Sequence, residues 1–279
     1  MFYIEGGHSP SLTSDQSAEG ASLPSILGLI PRFPLSRPII EALRTAIPYF
    51  PLRHTLPDGR RMLKYFGDHN VPRIVEEVLV AGVYDSIPGL GPRDGDIVFD
   101  IGAHIGTYAF RAAKAIGGNG RYIAVEADPR NFSLLRRNVR SLQGIRIDCL
   151  NLALWSSPGT VTLHRHPWGF GGHSVVFEHG SDPVEVRADT LDNIVRQLDL
   201  SAVSFVKMDV EGAAVEILKG GEETLSKFKP RISCAAYHTP DESQLVADLL
   251  RHHGYSVEVK GVLHSYTTEP ETYVYAMAE

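Results

Sequence analysis

The chain predicts an α/β fold: a doubly wound sheet of seven mainly parallel strands preceded by an N-terminal extension. Three observations lead there. From about residue 95, short apolar runs alternate with amphipathic helical stretches, the pattern of strands joined by helices that cover both faces of a parallel sheet. The chain closes on two strand-like runs with no helix between them, which predicts an antiparallel edge. Finally, 279 residues with 43% apolar and 22% charged side chains suit one large domain with its own core and exclude disordered, collagenous and coiled-coil classes.

Residues 1–36, rich in Ser, Gly and Pro, read as a flexible arm. Residues 37–90 read as a helical extension or lid, with helices over 39–46 and 71–83, and residues 91–279 as the main domain. In DHNVPRIVEEVLVAGVY (68–84), Pro72 stands near a helix start and Ile74, Val78 and Val80 are apolar, so this segment either packs on the main domain or covers its cleft. The first strand is expected over 97–101, with a helix over 108–116. The second, 122–125, runs into Asp128-Pro129, an N-cap followed by proline at the first helical position. The helix it opens has Phe132, Leu135, Val139 and Leu142 on one face. A third strand over 145–154 leads into a β-like stretch with glycine turns, and Leu191, Ile194, Val195 and Leu198 then mark a helix. The fourth strand spans 203–208, with Val215, Leu218 and Leu225 striping the helical region beyond it. The fifth spans 231–237. Thr239-Pro240-Asp241-Glu242 reads as a capping box opening a helix to His253, ended by Gly254. The last strands lie near 255–259 and 273–277.

Twenty-seven basic against thirty-three acidic residues give a net charge of -6, which argues against a protein gripping nucleic acid by its backbone. No apolar run approaches the roughly 18 residues of a membrane span, and the N-terminus lacks a basic segment followed by an apolar one. Two widely spaced cysteines, Cys149 and Cys234, fit buried thiols in a reducing cytoplasm. The expected partner is therefore a small molecule, with neither nucleic acid nor membrane; a homodimer through the N-terminal segment is left open.

In open α/β sheets, ligands bind beyond the carboxyl ends of the strands, where the strand order reverses. After the first strand comes Asp100-Ile-Gly102-Ala103-His104-Ile-Gly106, small residues that let the backbone turn tightly near a ligand and a helix N-terminus. The spacing is Gly-x-x-x-Gly, not the Gly-x-Gly-x-x-Gly of dinucleotide sites. The second strand ends in Glu126, an acid able to accept both hydroxyls of a ribose. Together the loop and the acid point to a nucleoside-containing ligand. The fourth strand ends Lys207-Met-Asp209-Val-Glu211-Gly212. If the strand persists, both carboxylates face the cleft, as general base, metal ligand or acceptor for a substrate. His238 closes the fifth strand on the same edge as a candidate base or substrate contact, or as part of the following turn. Between the third and fourth strands, HPWGFGGHS places Trp168, Phe170 and His173 on a glycine-rich loop suited to holding a substrate. His164, His166, His173 and His179 crowd this insertion without the paired spacing of a metal site.

These motifs carry a resemblance. VFDIGAHIGTYAFRAAKAIG (98–117), YIAVEADPRNFSLLRRNV (122–139), LNLALWSSPGTVTL (150–163), TLD (190–192) and FVKMDVEGAAVEILKGG (205–221) resemble the FkbM family of methyltransferases, which use S-adenosylmethionine on a Rossmann-like fold. The resemblance covers roughly residues 83–255. It implies the strand order 3-2-1-4-5-7-6, with the final strand antiparallel. It implies that Asp100, Gly102, Ala103, His104 and Gly106 line the methionine and ribose end of the cofactor and that Glu126 holds the ribose. Asn151, Leu152 and Ala153 would approach the adenine, and Asp209 and Glu211 would face the transferred methyl. Two features depart from the family: it usually has asparagine where this chain has His104, and the ending CAAYH (234–238) lacks an expected acid.

The chemistry so implied is in-line transfer of a methyl from a sulfonium to a nucleophile, in which the protein aligns the partners and excludes water. An alcohol nucleophile needs a base, for which Asp209, Glu211 and His238 are the candidates, or a divalent metal held by Asp209 and Glu211. The resemblance implies O-methylation of a hydroxyl on a sugar, glycan or polyketide-type secondary metabolite. The competing readings are a cofactor-binding scaffold without catalysis and an N-methyltransferase; the latter often carries Asn/Asp-Pro-Pro-aromatic where this chain has Asp-Val-Glu-Gly.

Overall fold

A computed structural model describes residues 39, 42–43, 46–166, 171–178, 182–264 and 266–278. The expected arm over 1–36, residues 40–41 and 44–45 of the expected helix over 39–46, and Trp168, Phe170 and His179 lie outside the described residues. The chain divides into two units, Met1–Glu41 and Ala42–Glu279, and the second holds every strand of the described residues.

Strands β1 (Pro51–Thr55) and β2 (Arg61–Tyr65) pair as an antiparallel hairpin where the sequence reading expects only helices. Its signal is Pro57-Asp58-Gly59, with Gly59 at φ 83° in the left-handed region that glycine reaches without strain. The helix expected over 71–83 begins as Val71–Val75, with Pro72 in its first turn. It then widens into a π-helical stretch, Glu76–Ala81, and stops at Gly82 (φ 64°). Leu56, Met62, Tyr65, Val71 and Val75 bury their side chains with Ile105, Phe110 and Leu134, so the hairpin and this helix share a core with the domain behind them.

Then follow β3 (Ile97–Ile101), β4 (Arg121–Val125), β5 (Arg146–Leu150), β6 (Ala153–Leu154), β7 (Gly159–His164), β8 (Pro183–Asp189), β9 (Phe205–Met208), β10 (Arg231–Ala235), β11 (Tyr255–Val262) and β12 (Glu271–Ala278). Seven of them form the main sheet in the order β5-β4-β3-β9-β10-β12-β11. Counted by appearance within that sheet, the order is third, second, first, fourth, fifth, seventh, sixth. β5, β4, β3, β9 and β10 run parallel, while β12 is antiparallel to both its neighbours. Successive residues alternate between two apolar layers. Phe99, Ile101, Ile123, Val125, Val206 and Met208 face one, and Val98, Tyr122, Ala124 and Phe205 face the other.

The single strand expected over 145–154 is two strands in two sheets. β5 ends at Leu150, where the Asn151 amide donates to the Glu126 and Ala127 carbonyls, and β6 then joins β8 and β7 in a separate three-stranded sheet. Asp128 caps the helix Pro129–Val139 as expected, accepting from the backbone N–H of Arg130 and of Asn131. The expected capping box at 239–242 is replaced: Glu242 turns back to accept from the N–H of His238, and Asp241 makes no side-chain cap. Cys149 and Cys234 are free thiols. Among the described residues no helix is long and apolar enough to cross a membrane.

Candidate active site

The chain reverses its direction of travel across the sheet between β3 and β9, whose carboxyl ends lie side by side. A cavity of about 380 Å³ opens there, within the roughly 300–1,000 Å³ usual for small-molecule sites. The turn after β3 forms one wall. Gly102 sits at φ 73°, and a Cβ at this position would collide with the backbone carbonyl oxygen of Asp209, so only glycine lets the two loops approach. His104 is also left-handed (φ 51°), a conformation that asparagine and histidine tolerate better than most residues. Both ring nitrogens of His104 are buried, Nε2 lies 3.6 Å from the Asp68 carboxylate, and desolvation lowers the ring's pKa. Thr107 lines the same wall with its buried hydroxyl unpaired.

Glu126 leaves the end of β4 almost fully buried. Its Oε2 accepts from the His104 N–H at 2.7 Å and its Oε1 from the Asp128 N–H at 2.9 Å. Burial pushes its carboxyl up to about 7, against the two N–H groups that favour the ionised form. Leu152 and Ala153 supply apolar lining beside it, and His173 reaches the cavity from the insertion, its pKa lowered to about 4 by burial.

Asp209 and Glu211 both line the cavity, though not through strand alternation. β9 stops at Met208, and Glu211 (φ 48°) and Gly212 (φ 93°) form a left-handed turn that brings the second carboxylate round. The Ser174 hydroxyl donates to the Glu211 carbonyl at 2.7 Å and pins that turn. The Tyr84 hydroxyl, from the single 3₁₀ turn Val83–Asp85, donates to Asp209 Oδ2 at 2.7 Å. Burial, reinforced by Asp209 and Glu242 and opposed by His238, lifts Glu211 to about 7.

Four sequence-selected residues stand behind the wall. Asp100 is fully buried, paired with Lys207 Nζ at 3.0 Å and accepting from the Tyr122 hydroxyl. Gly106 (φ 91°) lets the helix Thr107–Ile116 start hard against Leu135, a packing requirement. Asn151 ties the end of β5 to the Glu126 loop by its two backbone contacts. His238 is the fourth, with its ring buried and Nδ1 3.0 Å from Glu242 Oε2. Its Nε2 lies 3.6 Å from Glu211 and 3.8 Å from Asp209. Burial alone would lower its pKa, but the Glu242 hydrogen bond and the charges of Glu211 and Asp209 outweigh this and raise it to about 9.

Sequence reading singled out none of the cavity residues in the segment 68–84 as site residues. Asn70, Arg73, Ile74, Glu77 and Tyr84 line the cavity, while Val71 and Val75 of the same segment pack on the domain. Glu77 is buried, accepts from Tyr273 at 2.7 Å and Tyr266 at 3.2 Å, and is lifted to about 7 by burial and by Asp209. The signal was two consecutive acids, Glu76-Glu77, inside an apolar helical pattern, and one of them is turned inward by the π-helical stretch.

Fold and cavity define a doubly wound α/β protein with a ligand site at its switch point. The model of the methyltransferase FkbM domain matches residues 100–257, and the chain belongs to that family. Over 46% of this chain and 51% of the relative, it is 29% identical to the hexuronic acid methyltransferase AglP of Haloferax volcanii. It is 24% identical to the 2-O-methyltransferase NoeI of Sinorhizobium fredii, over 53% of this chain and 66% of that one. The matches thus span about half to two thirds of these relatives' lengths. The crystal structure of methyltransferase FkbM from Methylobacillus flagellatus superposes with a TM-score of 0.48 at 19% identity, covering 67% of this chain and 45% of that chain.

Proposed function

We propose that the protein is an S-adenosylmethionine-dependent O-methyltransferase acting on a hydroxyl of a sugar or glycan. The observation that carries this reading is the shared cavity: Glu126, steadied by two backbone N–H groups, and the Asp209–Glu211 pair line the same space. The cofactor suits the residues present. Gly102 leaves the space a side chain would fill, Leu152 and Ala153 offer an apolar surface for a base, and the buried Thr107 hydroxyl lacks a partner of its own. When bound, S-adenosylmethionine supplies an electrophilic methyl with its leaving group attached. Glu126 then accepts the ribose hydroxyls, the lid residues Arg73, Glu77 and Tyr84 orient the acceptor and limit water, and the Asp209–Glu211 pair receives the proton the acceptor hydroxyl loses. A saccharide acceptor is supported by the names of the two relatives, one acting on a hexuronic acid and the other at a 2-O position.

Calorimetric titration with S-adenosylmethionine, with NAD as control, tests the cofactor. Binding of the first alone is expected, weakened about 5- to 150-fold in Glu126→Ala, the loss of one or two hydrogen bonds at roughly 1–3 kcal/mol. No binding of S-adenosylmethionine by the folded protein would sink the reading. Release of S-adenosylhomocysteine on adding uronic-acid-bearing glycans then tests the acceptor class.

A further inference from the structure

We propose that Asp209, Glu211 and His238 bind one divalent cation of the Mg²⁺/Mn²⁺ class, on the wall of the cavity where the acceptor hydroxyl enters. The site deepens the methyltransferase reading, since it places a metal among the carboxylates assigned there to the acceptor.

One ligand atom from each residue lies within 4.8 Å of the others. The His238 Nε2 separations of 3.6 and 3.8 Å fall between the roughly 3.0 Å of adjacent and 4.2 Å of opposed ligands around an octahedral ion with bonds near 2.1 Å. His238 is the observation that separates this cluster from an ordinary group of acids. Its side chain is 5% exposed, Nε2 points between Asp209 and Glu211, and that nitrogen makes no hydrogen bond.

Each ligand is also oriented from behind. Glu242 fixes the imidazole through Nδ1, the carboxylate–histidine arrangement that sets ring orientation at metal sites. Tyr84 holds the far oxygen of Asp209, and the left-handed turn at Glu211 is pinned by Ser174. A second cluster, Glu77–His264–Glu271, lacks this openness: tyrosine hydroxyls already occupy both oxygens of Glu77, and Tyr273 also reaches Glu271. Two carboxylate oxygens and one imidazole, without a thiolate, select a hard or borderline ion. Three protein ligands leave about three octahedral positions, and Asp209 and Glu211 turn them toward the cavity. An acceptor with two neighbouring oxygens, such as a vicinal diol, can chelate there.

The test is titration of the full-length protein with Mn²⁺ alone at pH 8, followed by electron paramagnetic resonance, with electron spin echo modulation reporting nitrogen ligation. One Mn²⁺ per chain with a ¹⁴N coupling is expected. Glu211→Gln should weaken binding at least tenfold. Glu242→Gln, which removes the carboxylate behind the imidazole, should weaken it about 10- to 100-fold. If either variant fails to fold, the wild-type nitrogen coupling decides. No binding up to about 1 mM Mn²⁺, the weak end of protein sites for such ions, would overturn the proposal. So would bound Mn²⁺ without nitrogen coupling and indifferent to Glu211→Gln. Because no cofactor is present in this titration, S-adenosylmethionine binding without Mn²⁺ binding removes only the cation site, and the converse removes only the methyltransferase reading.

Discussion

Glu126 shows how one side chain was readable from its place in the sequence while its chemistry was not. An acid ending the second strand, after a small-residue loop, marks the ribose position of a nucleotide fold. That its carboxyl is lifted to about 7 follows from tertiary burial, against a usual value near 4.3. The sign of the consequence is definite. In the free protein the protonated form is the better accommodated, so this group's contribution to stability is full below its ordinary pKa and is lost as pH rises through about 7. Ribose hydroxyls, as donors, favour the ionised form. Affinity for S-adenosylmethionine should therefore fall about tenfold from pH 8 to pH 6, the change in ionised fraction for a group near 7. Glu126→Gln should bind more weakly and flatten that profile; a slope that survives in this variant would assign the dependence to another group.

Among the elements, the hairpin β1–β2 and the lid helix depend most on neighbours distant in sequence. Asn138, on the helix Pro129–Val139, joins the hairpin to the domain: its Oδ1 accepts from the Leu63 N–H at 2.6 Å and its Nδ2 donates to the Leu63 and Ile105 carbonyls at 2.9 and 2.7 Å. Asn138→Ala leaves buried backbone groups unpaired and should cost about 2–3 kcal/mol in urea unfolding. Hydrogen exchange should accelerate first at residues 61–65. A loss below about 0.5 kcal/mol would mean the hairpin is held by its apolar contacts alone. The helical stripe Phe132, Leu135, Val139 and Leu142 was readable from periodicity, but the inward polar face carrying Asn131 and Asn138 was not, because it serves partners up to 75 residues away.

For the molecule as a whole, the two apolar layers meet at a sheet whose central strands carry one buried ion pair. Lys207 on β9 reaches Asp100 on β3 and also donates to the Gly102 carbonyl, joining the strands on either side of the switch point. Burial opposes the lysine's charge, yet Asp100 and Asp209 keep its pKa raised. Breaking such a pair from one side strands the other charge in the core. Lys207→Met should thus lower global stability by about 3–5 kcal/mol, and adding Asp100→Asn should restore part of it. Denaturant melts of the two variants measure this directly; additive losses would show the pair is not coupled.

The alternation of apolar strands and amphipathic helices, the glycine turn, Glu126 and the Asp209–Glu211 pair were all accessible from the chain alone, because each follows from local periodicity or from the backbone freedom of particular residues. Which of them face the cavity was decided in three dimensions. Asp100 and His238 stand behind the wall because their carboxylate and imidazole are claimed by Lys207 and Glu242. Glu211 faces inward by a left-handed turn that no two-residue strand repeat describes. Tyr84 and Glu77 line the cavity from a segment that also packs on the domain through Val71 and Val75. Local pattern determines how a segment folds and which residues it can offer. Orientation toward a shared site, and the electrostatics there, arise only when segments far apart in the chain pack together and exclude water.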